Sequence, residues 1–170
     1  MHTFDMEALQ AAVDERRRSQ GLTWGELAAE INEPFRGTTS IPISVSTIKT
    51  MSKKRSVTSA VVLQVLRWLD RSPESFLSGR AGQLNVNEKL PNGGASGILR
   101  FDTRAMYSAL DEERQKRNLT WKQLVTQLPG FTQSKVENLA EGPLIGFPRV
   151  MTITQWLNCP AAVFVRVRGR

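Results

Sequence analysis

The sequence predicts an all-α fold: two tandem units of about five short helices each, joined by a flexible linker. Three observations predict it. First, the chain repeats itself. A shift of 97 positions superposes Phe4-Asp5 on Phe101-Asp102, Asp14-Glu15 on Asp111-Glu112, Arg17 on Arg114 and Leu22-Thr23-Trp24 on Leu119-Thr120-Trp121. From Phe4 to Ile31 this gives 11 identities in 28 positions, against about one or two by chance. The register then slips to a shift of 88, which pairs Ser46 with Ser134, Trp68-Leu69 with Trp156-Leu157 and Phe76 with Phe164. Second, apolar residues recur at helical spacing within each copy. Third, the stretch between them, with Pro91-Asn92-Gly93-Gly94 and Ser96-Gly97, keeps neither a helical nor a strand period. The expected organisation is a first unit over 1–78, a linker over 79–100 and a second unit over 101–170 with a basic tail.

The first helix carries Met6, Leu9, Ala12 and Val13 on one stripe, opens on Asp5 as N-cap and stops at Gly21. A short second helix follows Thr23, where Thr23-x-x-Glu26 forms a capping box; Thr120-x-x-Gln123 repeats it in the second unit. Ser44 and Thr132 cap a third helix, with Ile48 and Met51 or Val136 and Leu139 facing inward. Val61-Val62, Val65-Leu66 and Leu69 form a fourth, matched by Val150-Met151, Ile153 and Trp156-Leu157. A last turn after Pro73 and Pro160 ends in Phe76 and Phe164. The first unit has nine extra residues within 32–42. No alternating strand pattern is expected in either copy.

Composition narrows the function. Hydrophobic residues make up 40% of the 170 and charged residues 23%, ordinary globular usage. No apolar run approaches the roughly 20 residues of a membrane span, and Met1 to Met6 lacks the apolar core of a signal peptide. A cytoplasmic protein without a membrane partner is therefore expected. One cysteine, Cys159, and one histidine, His2, leave no disulfide, metal-ligand set or catalytic triad to build, so neither an enzyme nor a cofactor is expected. The net charge of +7 points to a polyanionic partner.

Capped helix, turn, second capped helix and two packing helices make a helix-turn-helix order. The residues Leu119-Thr120-Trp121-Lys122-Gln123-Leu124 followed by Gly130-Phe131-Thr132-Gln133-Ser134-Lys135-Val136-Glu137-Asn138-Leu139 carry it in the second unit. Leu22-Thr23-Trp24-Gly25-Glu26-Leu27-Ala28 followed by Ile43-Ser44-Val45-Ser46-Thr47-Ile48-Lys49-Thr50-Met51 carry it in the first. Both copies resemble the lambda-repressor-like (Cro/repressor type) helix-turn-helix family of bacterial and phage regulators. The resemblance implies that the second motif helix enters the major groove of duplex DNA. Val45, Ser46, Lys49 and Thr50, and Gln133, Ser134, Glu137 and Asn138, would then read bases. Thr23, Ser44, Lys53, Lys54 and Arg55, with Thr120, Lys122, Thr132 and Lys135, would contact phosphates. Gln and Asn suit an adenine edge, and the Val45 side chain a thymine methyl. The chain departs from the family twice: Trp24 and Trp121 stand where members often carry Gln, and the insertion over 32–42 replaces a tight turn. That loop is expected to lay Arg36, Thr38, Thr39 and Ser40 against the DNA backbone.

Each feature also has a structural explanation. The run Lys49, Lys53, Lys54 and Arg55 contains no acid between Ser44 and Thr58; it would neutralise phosphates or complement a helix C-terminal dipole. The dipole suffices for Arg16-Arg17-Arg18 and for Arg114 to Arg117. Trp68, Trp156, Phe76 and Phe164 read as core, and Trp24 and Trp121 as core or groove lining. Arg166, Arg168 and Arg170 read equally as phosphate contacts or a mobile tail. Glu137 and Glu141 would repel phosphates and argue that the second unit is degenerate. The expectation is a sequence-specific regulator, binding a bipartite, asymmetric duplex site as a monomer, with a homodimer left open. A flexible linker of about 21 residues spans roughly 25 Å, with a limit near 70 Å, against about 34 Å between half-sites one turn apart. The alternative is a protein-interaction module, such as a phage accessory factor or antitoxin, in which one or both units do not bind DNA.

Overall fold

A computed structural model describes residues 1–54, 57–78, 90, 97–142 and 145–168. Among these residues it is mostly helical, with eight α-helices, short 3-10 turns and a two-stranded sheet. The first repeat contributes α1 (Met6–Ser19), α2 (Trp24–Ile31), α3 (Val45–Lys49) and α4 (Ser59–Leu69), then a 3-10 turn at Pro73–Phe76. The second contributes strand β1 (Ile98–Phe101), α5 (Thr103–Lys116), α6 (Trp121–Thr126), α7 (Gln133–Glu141), α8 (Phe147–Leu157), a 3-10 turn at Ala161–Phe164 and strand β2 (Val165–Arg168).

The sequence repeat extends to individual hydrogen bonds. Asp5 accepts from the Ala8 amide and Asp102 from the Ala105 amide, both at 2.9 Å. The capping boxes of α2 and α6 are complete, each threonine and its Glu26 or Gln123 partner satisfying two amides that the helix leaves orphaned. After α1 the chain turns through Gly21 at φ +65°, and after α5 through Asn118 at φ +55°. This left-handed position is open to glycine and, at modest cost, to asparagine. Trp68 donates its indole N–H to Glu30 at 2.7 Å, and Trp156 to Gln127 at 2.9 Å. Leu9 and Val13 on α1, and their equivalents Met106 and Leu110 on α5, are fully buried.

The two repeats pack against each other around a local two-fold axis. Thr58 forms an antiparallel bridge with Gly146, the residue to which the shift of 88 relates it. Ser59 N–H donates to Ile145 O and Phe147 N–H to Val57 O, each at 3.0 Å. An antiparallel pair is two-fold symmetric in its backbone. Because these residues are repeat equivalents, the backbone axis and the repeat axis coincide here. Phe147, fully buried, meets Phe4 edge-on with ring centroids 4.6 Å apart and lies 6.3 Å from Phe101, the repeat equivalent of Phe4. The lead-in segments cross over. His2 exchanges two hydrogen bonds with the Gln155 side chain, at 2.8 and 2.9 Å. In the other direction, Gln64 donates to Leu99 O at 2.8 Å and Arg67 to Gly97 O. Glu74 accepts from the Ala161 amide at 2.6 Å.

The sheet departs from the all-helical expectation. β1 and β2 run antiparallel, with Ile98 opposite Arg168 and Arg100 opposite Arg166. Val165, Arg166, Val167 and Arg168, expected as a tail, are therefore ordered by a partner strand far earlier in sequence, Ile98 pairing with Arg168 and Phe101 with Val165, a pairing invisible to local periodicity. β1 also takes residues 98–100 out of the linker expected over 79–100. Leu99 and Phe101 are buried, and β1 packs on α4 of the other repeat. Residues 79–89 and 91–96 of that expectation, and Arg170 of the tail, lie outside the described residues.

Candidate nucleic-acid interface

In each repeat one clamp braces the end of the first helix against the start of the second. Arg17 donates to Asp14 at 3.0 and 2.8 Å and to Leu22 O at 3.0 Å, and its guanidinium lies 4.6 Å from the Trp24 ring centroid. Arg114 donates to Asp111 at 3.0 and 2.6 Å and to Leu119 O at 2.8 Å, 4.8 Å above Trp121. The end of the first helix, the turn and the start of the second helix are thereby tied together. The helix dipole alone does not account for these two arginines: they hold the tryptophans at the head of α2 and α6. The signal was in the sequence, since Asp, Arg and Trp are identical in both copies at identical spacing.

The clamps differ on their outer side. Lys49 of α3 reaches over Trp24, its ammonium 5.9 Å from the ring centroid, so that Arg17, Trp24 and Lys49 make a cation–π ladder. In the second repeat Tyr107 stacks on Trp121 at 5.1 Å with 16° between planes. The position equivalent to Lys49 is Glu137.

The predicted base-reading residues gather on the outward faces of α3 and α7. Val45, Ser46 and Lys49 are exposed, as are Gln133, Ser134, Glu137 and Asn138. Thr50 falls outside α3 as its C-cap, half-buried, with its hydroxyl donating to Ser46 O at 2.7 Å. On α7, Gln133 donates to Glu137 at 3.1 Å, so these two side chains present a joint amide–carboxylate face. Among the predicted phosphate contacts, the Thr23, Ser44, Thr120 and Thr132 hydroxyls serve as N-caps, accepting backbone N–H groups. Lys135 donates to Gly130 O at 3.1 Å. Lys53 and Lys54 follow α3, exposed and without an ion pair among the described residues, and Lys122 is exposed on α6. Arg55 lies outside the described residues.

The insertion uses its polar groups internally. Asn32 closes its base, accepting from Ile43 N–H and donating to Ile43 O, both at 2.8 Å. Pro34 and Phe35 are buried, Arg36 pairs with Glu33 at 3.5 Å, and Thr38 donates to Phe35 O at 2.7 Å and accepts from the Ser40 amide. Of the four side chains expected against DNA, Thr39 is exposed, and beside it the loop turns an apolar side chain outward, with Ile41 88% exposed.

Electrostatically the two faces are unlike. From Ser44 to Lys54 the first carries three lysines and no acid; from Thr132 to Gly142 the second carries Lys135 against Glu137 and Glu141. On β1, burial and the nearby Arg168 hold the Arg100 guanidinium below its usual pKa. No group of three or more His, Cys, Asp or Glu that could hold a metal occurs among the described residues, and no helix there is long and apolar enough to cross a membrane. No family model, curated protein or solved structure matches the chain.

Proposed function

We propose that the protein binds duplex DNA sequence-specifically, with α3 and α7 as its two recognition helices, and acts as a cytoplasmic transcriptional regulator. The observation that carries this reading is the twice-built pair of capped helices, in which the second helix offers its first turns to solvent and, in the first repeat, leads into two unpaired lysines. Exposed Ser, Gln and Asn at these positions can discriminate base edges, and Lys53 and Lys54 supply the sequence-independent attraction to phosphates. The reading helices differ at most outward positions, so the site has two unlike halves and is bound by a single chain.

Selection of bound duplexes from a random pool by the full chain tests this. A two-part motif with unlike halves is expected. Ser46→Ala or Gln133→Ala should relax preference at one position, at about 1–3 kcal/mol for the affected base pair. Lys53→Ala or Lys54→Ala should weaken all sequences alike. A palindrome would point instead to homodimers that use one repeat.

A second reading rests on one observation, the replacement of Lys49 and Lys53 by Glu137 and Glu141 at equivalent positions. On that reading the second face, or both, holds another protein. Salt dependence separates the two: duplex binding that falls steeply between low and physiological salt belongs to the first, and no duplex binding at low salt to the second.

A further inference from the structure

The repeats share a core and exchange their lead-in segments, which bears directly on the geometry of any bipartite target. Val57, Thr58 and Ser59 bond Phe147, Gly146 and Ile145 across the local two-fold. Gln155 holds His2 on one flank, and Gln64 and Arg67 hold Leu99 and Gly97 on the other. Phe4 and Phe101 close on the same Phe147 ring. Units connected only through a tether would make none of these contacts.

The axis also limits how far apart the recognition helices can lie. Nine residue steps lead from Lys49 at the end of α3 to Thr58 on the axis, three of them in the 3-10 turn Met51–Lys53. Five steps lead from Glu141 at the end of α7 to Gly146. With at most about 3.5 Å per extended residue, about 2 Å per residue in 3-10 and 1.5 Å in α, the midpoints of α3 and α7 are within roughly 60 Å of each other. Half-sites one helical turn apart, about 34–36 Å, fit this limit, and half-sites two turns apart, near 70 Å, do not. Lys53 and Lys54 lie on the path from α3 to the axis, beside the centre of such a footprint.

We infer that the chain reads DNA as a covalent pseudo-dimer: one rigid body whose two half-sites must sit one helical turn apart at fixed spacing. This rests on the DNA-binding reading above and replaces the sliding tolerance that a flexible tether would confer.

Two measurements on the whole 170-residue chain test it. In the first, base pairs are inserted one at a time, from one to eleven, between the halves of a selected duplex. Binding is expected to fall at least tenfold by five inserted pairs and not to return at ten or eleven. Recovery at ten or eleven, or less than threefold variation throughout, would overturn the fixed spacing while leaving DNA binding intact. In the second, a protease site is inserted between Gln83 and Lys89 and cut. The halves should co-elute on gel filtration at micromolar concentration, and separation would overturn the rigid body. Co-eluting halves from a chain that selects no duplex would show that the DNA reading has failed, and the spacing rule with it, although the docking stands.

Discussion

The two repeats share one frame and carry opposite faces. Asp14 and Asp111, Arg17 and Arg114, and Trp24 and Trp121 make the same clamp, and Thr23 and Thr120 the same box. Yet where the first repeat has Lys49 and Lys53, the second has Glu137 and Glu141. The clamps and the caps of the first three helices are constrained by packing and by orphan backbone groups, so they stay alike once the unit is doubled. The outward positions of α3 and α7 lie outside those constraints and have diverged to opposite charge. Frame and outward surface thus vary independently, and the second copy carries a surface of its own charge.

The largest expected effect tests the shared part of that comparison. Phe147 fills the axis between Phe4 and Phe101, and nothing of its size stands at the equivalent position in the first repeat, Ser59. Phe147→Ala should cost about 3–5 kcal/mol by urea denaturation, the range for deleting a buried aromatic. It should lower a single transition reporting on both repeats, because the ring belongs to both cores. If only one half of the chain were destabilised, the repeats would fold as independent units and the common core would be refuted.

Next comes the part that differs. Lys53→Ala with Lys54→Ala should reduce the slope of log affinity against log salt by about one per lysine, with base preference unchanged. The converse, Glu137→Lys with Glu141→Lys, gives α7 the charge of α3. It should raise duplex affinity and steepen the salt dependence, by roughly threefold per lysine over a fourfold salt range. Binding indifferent to both pairs of changes would mean that neither face meets phosphate.

How far these features could be read without coordinates follows from the range of the interactions involved. The caps, the left-handed turn at Gly21 and Asn118, and the buried stripe of Leu9 and Val13 depend on residues within one or two turns, and each is legible. The strands Ile98–Phe101 and Val165–Arg168 are four residues apiece. Each finds its ladder partner only in the other, and the alternation of Val and Arg from Val165 to Arg168 is too short to distinguish a strand from a tail. The bridge between Thr58 and Gly146 was equally hidden, since docking of the repeats depends on surfaces that no local pattern describes. At the candidate interface the residue types could be read, but not their engagements: Gln133 with Glu137, Lys135 with Gly130 O, and Thr50 turned back onto Ser46.

A smaller effect should be equal in the two repeats. Thr23→Ala and Thr120→Ala each remove a hydroxyl that accepts an N3 amide at 3.1 Å. Each should cost about 1 kcal/mol. A cost more than twice as large in one repeat would show that the two frames, alike in geometry, are not alike in energy.

The smallest effect separates the boxes by their one chemical difference. In the first repeat the reciprocal acceptor is the Glu26 carboxylate, 3.0 Å from the Thr23 amide; in the second it is the Gln123 amide oxygen, 2.8 Å from Thr120 N–H. The bond from the Thr23 backbone, and after it that from its side chain, hold the Glu26 carboxyl below its usual 4.5. A carboxyl with a lowered pKa in the folded state favours folding when ionised. Its contribution is present above the ordinary value and disappears as pH falls through the lowered one. Gln123 has no proton to gain over that range. Hydrogen exchange should therefore show the Thr23 amide losing protection on acidification below the ordinary carboxyl range while the Thr120 amide keeps it, and Glu26→Gln should make the first repeat as insensitive as the second. Parallel loss at both amides in the wild-type chain, unchanged by Glu26→Gln, would trace acid sensitivity to the common core and leave the two boxes equivalent.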